Sequence, residues 1–129
     1  MKILAEISVG ELYDKITILN IKLIKFNDPN KLKNIKIELD ALIEQSNKLI
    51  LKEDEILKKN IQKLQDINEE LWDIENAKRE CEANKEFGEI FIKISRDVHF
   101  KNDIRASIKK EINLLSNSKI TEEKEYSKY

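Results

Sequence analysis

The chain has 129 residues, of which 24 are basic and 25 are acidic, so its formal net charge is only −1. These interspersed charges produce no strong field for nucleic acid or for an anionic membrane, and we expect neither as a partner. Because Cys81 is the single cysteine, an intramolecular disulfide is excluded and a reduced, cytoplasmic setting is expected. No stretch approaches the roughly 18 apolar residues of a membrane helix, and the N-terminus does not have the pattern of a signal peptide.

Two glycines and one proline are too few for a fold with many hairpins, so the chain is predicted to be all-α. The first predicted helix begins with a capping box formed by Ser8 and Glu11. It continues with apolar residues at helical spacing, namely Leu12, Ile16, Leu19, Leu23 and Phe26. The sequence NDPN at residues 27–30 ends this helix, because proline disfavours helix at the residue before it.

Two further helices are predicted in the middle of the chain. The first covers residues 30–51, and its apolar side is made of Leu32, Ile35, Leu39, Leu42, Leu49 and Ile50. Residues 52–55, KEDE, form either a turn with Asp54 as the next N-cap or part of one long, bent helix. From residue 55 to 84 the apolar residues recur about every 3.5 positions, which is typical of coiled coils and antiparallel helical hairpins: Leu57, Ile61, Leu64, Ile67, Leu71, Ile74 and Cys81.

Two shorter helices are predicted in the C-terminal third, over residues 86–99 and 103–116. Asn102 and Asp103 lie where they meet, and either can serve as the N-cap of the second helix because its side-chain oxygen can accept from a free backbone N–H. Each helix has apolar residues at helical spacing, which are Phe87, Ile90, Phe91, Ile94 and Val98 in one and Ile104, Ile108, Ile112 and Leu115 in the other.

The last segment, residues 117–129, is polar but ends with two tyrosines, Tyr126 and Tyr129. Because a disordered tail has little use for two tyrosines, we expect part of this segment to dock on the helices. Together the elements predict a single helical domain, residues 1–129, folded as an antiparallel bundle of four to five helices with a long central helical hairpin.

Four carboxylates suggest a metal site. Glu11 and Asp14 are three residues apart on one side of the first helix, and the same spacing recurs at Glu70 and Asp73. Two such pairs on neighbouring helices could hold Mg²⁺, which prefers oxygen ligands, as in all-α nucleoside-triphosphate pyrophosphohydrolases. The alternative interpretation is that they are solvated carboxylates, since 38% of the residues are charged. No other cofactor is indicated.

The only tryptophan, Trp72, shares one side of its predicted helix with Asn68, Glu75 and Arg79. Glu75 precedes Arg79 by four residues, which is the favourable orientation for an ion pair within a helix. Two interpretations are open. The group is either a packed tryptophan beside a surface ion pair, or the polar wall of a pocket in which Glu75 orients Arg79 toward an anion.

Arginine occurs at only three positions, Arg79, Arg96 and Arg105, whereas the other 21 basic residues are lysines. Lysine cannot replace the planar guanidinium group where it binds a carboxylate or phosphate in two places. The three arginines therefore indicate a demand for that geometry. The demand is either structural, for example a pair between Arg105 and Glu123, or it comes from an anionic ligand.

Four stretches of the chain together resemble a family of small bacterial and bacteriophage proteins of unknown function: ISVGELYDKITILNIKL, ELWDIENAKRECE, FGEIFIKISRDVHFKNDIRASIKKEIN and SKITEEKEYSKY. Members of that family are often encoded among genes for lipopolysaccharide or other surface-polysaccharide biosynthesis, so the resemblance implies this context but no chemistry. The matching positions are mostly polar, and among them are Gly10, Glu11, Asp14, Lys15, Trp72, Glu75, Arg79, Arg96, Asn102, Asp103, Arg105, Asn113, Glu122, Glu123, Lys124, Tyr126 and Tyr129. The chain departs from the pattern at Ser95 and His99, where alanine and tyrosine are expected.

The leading hypothesis is a non-catalytic, self-associating helical module that binds an anionic ligand or partner in surface-glycan biosynthesis. In this hypothesis three arginines hold the anion, acidic and amide side chains orient them, and aromatic rings stack on the ligand. The predicted ligand-binding residues are Arg79, Arg96, Arg105, Glu75, Trp72, Asn102, Asp103 and Tyr126. His99 and Cys81 form no catalytic dyad that the sequence demonstrates, which favours a non-catalytic role.

Three alternatives stay open at this point. One is Mg²⁺-dependent hydrolysis of a phosphate ester or pyrophosphate at the four carboxylates named above. Another is a clamp of basic residues around a dicarboxylate, by architectural analogy with helical chorismate mutases. The last is a purely structural bundle that assembles through a second face of the first helix, which carries Ile18 and Ile21.

Overall fold

The computed structural model describes all residues, 1–129. It contains no strands and four helices, which are α1 (Val9–Lys25), α2 (Pro29–Ser46), α3 (Glu55–Ala83) and α4 (Glu89–Leu115). The predicted all-α bundle is confirmed, with four helices. None of these helices combines the length and the hydropathy that a membrane-spanning segment requires.

The helix starts follow local signals in the sequence. Ser8, Asp28 and Asp54 are the N-caps of α1, α2 and α3, and the side chain of each accepts a hydrogen bond from a backbone N–H in the first turn. Asp54 therefore begins a separate helix, and the alternative of one long, bent helix is wrong. Only half of the predicted capping box forms, because the side chain of Glu11 contacts Lys109 of α4.

The ends of α3 and α4 share one motif. A residue with positive φ follows each C-cap, namely Lys85 (φ 53°) and Asn117 (φ 50°). The next backbone N–H then donates to the carbonyl five residues earlier, at 2.8 Å after α3 and 2.9 Å after α4. This Schellman pattern satisfies carbonyl groups that the helix end would otherwise leave free, and it turns the chain sharply.

Two predicted boundaries are wrong. The helices predicted over residues 86–99 and 103–116 are one continuous helix, α4, and Asn102 and Asp103 lie in its interior. Packing along α3 outweighs the preference of these two residues for an N-cap. The second helix ends at Ser46, and Ile50, predicted on its buried side, is 97% exposed in the turns that follow.

The core forms around α1, which contacts each of the other three helices. Its predicted apolar residues Leu12, Ile16 and Leu19 are buried, and so is Ile21 on its second face. The second face is thus covered at Ile21 by the chain itself, so it is not an open surface for assembly. The buried apolar cluster consists of Leu12, Tyr13, Ile16, Leu19, Ile35, Leu39, Leu57, Leu64, Ile67 and Ile112.

The hairpin of α3 and α4 extends beyond α1. The end of α1 meets α3 where Phe26 packs on Trp72, with 6.0 Å between ring centroids. From Trp72, α3 continues to Ala83, about 16 Å further at 1.5 Å per residue. We call residues 74–100 the arm. Cys81 is its only buried residue, and Phe87 and Ile90, predicted on an apolar stripe, are 52% and 66% exposed.

Candidate functional site

A buried carboxylate, Asp14 of α1, lies at the centre of a polar network between α1, α3 and α4. Arg105 of α4 binds it in two places: Nε donates to Oδ1 at 2.9 Å, and Nη2 donates to Oδ2. Asn68 of α3 donates to Oδ1 at 3.0 Å and to the Thr17 hydroxyl at 2.9 Å. Burial alone would raise the pKa of Asp14, but the hydrogen bonds from Arg105 and Asn68 and the nearby positive charges outweigh it and hold this pKa below its ordinary value.

Lys109 extends the network to the C-terminal segment. Its side chain is 9% exposed, and its ammonium group lies 2.7 Å from a carboxylate oxygen of Glu11, 3.0 Å from one of Glu122 and 3.6 Å from one of Asp14. Burial alone would lower the pKa of Lys109, but hydrogen bonds to Glu11 and Glu122 outweigh it and raise this pKa. The same contact lowers the pKa of Glu122.

The start of α1 lies directly against α4 because residue 10 is glycine. A Cβ atom at Gly10 would lie 2.6 Å from the carbonyl oxygen of Lys109 and 2.9 Å from Oδ1 of Asn113. The Gly10 N–H donates to that same Oδ1 at 2.7 Å. The glycine thus allows the close approach that places Glu11 and Asp14 within reach of Arg105 and Lys109.

The C-terminal segment, residues 117–129, lies along α4 in extended form. The Ser118 hydroxyl accepts from the N–H of Val9 at 3.1 Å, and Glu122 binds Lys109. At the far end the Tyr129 hydroxyl donates to Asp103, which raises the pKa of this tyrosine. Its ring meets those of His99 and Phe100, at centroid distances of 5.1 Å and 5.2 Å.

An open cleft of about 260 Å³ lies between α4 and this segment. One lining residue is hydrophobic; the full lining is Ala106, Ser107, Lys109, Lys110, Asn113, Glu122, Glu123 and Lys124. Asn113 is 5% exposed, and its Oδ1 is held by Gly10, so its Nδ2 donor has a fixed position and no acceptor within the chain. Lys110 and Lys124 take part in none of the ion pairs of the chain.

The structure does not bring the predicted ligand-binding residues together. Of the three arginines, only Arg105 is in the network, and its carboxylate partner is Asp14 rather than Glu123. Arg79 and Arg96 are exposed and form no ion pair, so the Glu75–Arg79 pair is not made.

The remaining predicted ligand-binding residues are also dispersed. Trp72 packs on Phe26 of α1 and faces no cleft with the arginines. Asn102 is half-buried within α4, and the neighbouring Asp103 is exposed and accepts from Tyr129. Tyr126 is 77% exposed. These side chains line no common cleft. A ligand site built from them therefore stays a prediction.

The four carboxylates predicted to hold Mg²⁺ do not converge either. Glu11 and Asp14 face Lys109 and Arg105, as described above. On α3, Glu70 lies 2.5 Å from the ammonium group of Lys101, and Asp73 lies 3.9 Å from that of Lys25. No group of three or more His, Cys, Asp or Glu side chains is arranged to hold a metal ion. Each carboxylate thus has a cation of the chain as its partner.

Several residues of the network and the cleft have no signal in the sequence. Lys109 and Lys110 are two of 21 lysines, and nothing local separates them from the others, whereas Lys124 is among the positions that match the family resemblance. Gly10 is the exception, because a glycine in the first turn of a helix is unfavourable and indicates a close approach.

A comparison with family models places the chain in a family of unknown function, DUF6165, whose model matches residues 1–129. The chain belongs to this family, and the predicted membership in an uncharacterised family is confirmed. No curated protein and no solved structure matches the chain. The polysaccharide context that the resemblance implies stays a prediction.

Proposed function

We propose that this chain is a non-catalytic helical module that binds a small anionic ligand in the cleft between α4 and the C-terminal segment. The observation that supports this proposal is the side chain of Asn113, which is nearly fully buried, has a fixed orientation and retains a free N–H donor on the cleft wall. This donor is not sealed from solvent, so it is open to the cleft. A ligand oxygen would satisfy it.

The charges around the cleft indicate the class of ligand. Lys110 and Lys124 offer ammonium groups that form no salt bridge within the chain, so a phosphate or carboxylate group of the ligand fits between them and Asn113. The lining also contains Glu122 and Glu123, which accept hydrogen bonds from hydroxyl groups. An anion that also carries hydroxyl groups, such as a phosphorylated sugar, can bind both the two ammonium groups and the two carboxylates.

The size of the cleft and the family resemblance agree with this class. A volume of about 260 Å³ is below the range of about 300–1,000 Å³ typical of sites for drug-sized ligands, which favours a compact ligand. A role in surface-glycan biosynthesis, implied by the resemblance, would supply such compounds. The hydrolase alternative has no comparable support, because its four carboxylates face cations of the chain.

Isothermal titration calorimetry of the full chain with glucose 6-phosphate tests the proposal. Glucose and inorganic phosphate serve as half-ligands. We expect measurable binding of glucose 6-phosphate, weaker binding of phosphate and none of glucose. Replacing Lys110 and Lys124 together by glutamine should reduce the affinity at least tenfold, because both ammonium groups are lost.

The matched control replaces Lys33 and Lys36 by glutamine. These lysines are exposed on α2, far from the cleft, and removing them changes the net charge equally. If both double variants lose affinity to the same extent, the effect is general charge attraction and the cleft is not the site. If a panel of sugar phosphates and other small organic anions produces no heat and no rise in melting temperature, the anion-binding function is wrong.

A further inference from the structure

One side of α4 carries a ridge of exposed apolar residues. Ile92, Phe100 and Ile104 are 54%, 36% and 46% exposed, and Arg96 stands between the first two. These four residues, which we call the α4 ridge, are spaced by four positions. Residues at this spacing form the continuous ridges that pack into grooves of a neighbouring helix. No helix of the chain covers this side of α4, since α1 and α3 pack on its other sides. The Tyr129 ring of the C-terminal segment packs against Phe100 and leaves Ile92, Arg96 and Ile104 exposed.

The total surface of the chain is larger than that of a compact globular domain of the same mass. A compact monomer of 15.2 kDa is expected to expose about 7,100 Å², whereas this chain exposes 9641 Å². The difference, about 2,500 Å², is as large as the area per chain that extensive obligate homodimers bury. The extended termini contribute to it, and so do the arm and the ridge.

From these observations we infer that the α4 ridge is the interface for a second copy of this chain. The two α4 helices pack antiparallel across a two-fold axis that passes close to Phe100. A symmetric interface of this kind uses the same surface on both copies, so it buries two ridges at once. The proposal is independent of ligand binding in the cleft, which lies nearer the C-terminal end of α4.

Charge complementarity favours a second copy as the occupant. Arg96 has no acidic partner in its own chain, and Asp103 lies seven residues further, two turns along the same side of α4. One carboxylate oxygen of Asp103 accepts from Tyr129 of its own chain, and the other, Oδ1, has no partner there. With Phe100 near the axis, Arg96 of each copy is level with Asp103 of the other. Two ion pairs then form across the interface, one on each side of the axis.

The arm also meets the electrostatic requirement for self-association. It carries six acidic and five basic residues, so two copies do not repel each other through net charge. Inside the arm a single ion pair is formed, between Lys93 and Asp97. Most of its charged side chains are therefore available to a partner. The same near-neutral balance gives no attraction for an anionic membrane.

Sedimentation velocity of the full chain over a range of concentrations tests the inference. We expect a species of twice the chain mass of 15.2 kDa. Replacing Ile92 and Ile104 together by glutamate should reduce it to the monomer mass, with the helical circular dichroism unchanged because both side chains are exposed. The control replaces Ile24 of α1 and Ile37 of α2 by glutamate. Both side chains are also exposed, and this variant should stay dimeric.

A charge reversal tests the antiparallel arrangement. Arg96→Asp and Asp103→Arg should each weaken the dimer, and the combination of both should restore it, because the pair forms between copies. A chain that is monomeric at every concentration, or a dimer that the two glutamates leave intact, would overturn the inference. Ligand titration of the monomeric variant keeps this result separate from the proposed anion binding.

Discussion

The two halves of the α3–α4 hairpin both have apolar residues at helical spacing, but they lie in different environments. In the base, residues 55–73 and 101–115, apolar residues such as Leu64 and Ile112 are fully buried. In the arm, residues 74–100, only Cys81 is buried. The base contains the network around Asp14. The arm contains Ser95, whose hydroxyl oxygen is the one buried side-chain polar atom without a hydrogen-bond partner.

The difference comes from α1, which packs on the base and ends before the arm. A two-helix hairpin can bury only one stripe of each helix, and a third helix is needed to enclose a core. Apolar periodicity is therefore present along the whole hairpin, but it produces burial only where α1 is added. We infer that the stability of the chain comes mainly from the base, and that the arm is the region with surface to offer a partner.

The largest expected effect is the loss of the central carboxylate. Asp14→Ala should lower the free energy of unfolding by about 3–5 kcal/mol, because it leaves the partly buried Arg105 without its carboxylate partner and removes one of the three carboxylates around Lys109. Asp97→Ala, which removes an exposed ion pair of the arm, should lower it by about 0.5 kcal/mol or less. Urea unfolding monitored by circular dichroism measures both, and equal losses would contradict the distinction between base and arm.

Arginine should be required in the base and dispensable in the arm. Arg105→Lys keeps the charge but loses the two-point contact with Asp14, so we expect a loss of about 1–3 kcal/mol. Arg96→Lys should change the stability of the monomer by no more than about 0.5 kcal/mol, since this side chain has no partner within the chain. Thermal unfolding of the two variants at low concentration gives the comparison. A stable Arg105→Lys variant would show that the planar fork is not needed for folding.

Local signals predicted most of the fold. Ser8 and Asp54 were sufficient to place the starts of α1 and α3, because a cap depends only on neighbouring residues. The same signal failed at Asn102 and Asp103, where Arg105, Lys109 and Asn113 follow at intervals of four. A helix that begins at residue 103 would also place those three side chains on one side, so the continuation of α4 through this position comes from its packing along α3. Contacts across the bundle thus decided a boundary that local preference had placed wrongly.

The candidate site was harder to predict from the sequence than the fold was. Glu11 and Asp14 could be selected by their spacing, but their partners lie more than 90 positions away in the chain. The register between α1 and α4 fixes those partners, and it depends on the close approach at Gly10. A pair of carboxylates therefore suggested a metal site, although the positive charge is supplied by Arg105 and Lys109.

The stability of the folded chain at acidic pH should depend on Asp14. Because its pKa is lowered in the folded chain, its contribution is present above the ordinary carboxyl pKa of about 4 and is lost as the pH falls below that value. One such group contributes at most about 1.4 kcal/mol per pH unit. Urea midpoints measured from about pH 6 to pH 3 should decline less steeply for Asp14→Asn than for the charge-matched Asp97→Asn. Identical slopes would show that Asp14 does not titrate in the way its contacts require.

A substitution in the arm should be stabilising. Ser95→Ala removes a buried hydroxyl that has no hydrogen-bond partner. We expect a gain of about 1 kcal/mol, because an unsatisfied buried polar group is unfavourable by about 1–3 kcal/mol. Thermal unfolding measures the gain as a rise in melting temperature.

The matched control is Ser107→Ala, an exposed serine within the same helix. Alanine has the higher helix propensity, so this control should gain up to about 0.5 kcal/mol for that reason alone. Any gain in stability of Ser95→Ala beyond that of Ser107→Ala then measures the effect of removing the buried hydroxyl. If both variants gain equally, the Ser95 hydroxyl is solvated, and the arm opens enough in solution to admit water. A loss at Ser95 would mean that its hydroxyl has a hydrogen-bond partner in solution, and the expected gain would be wrong.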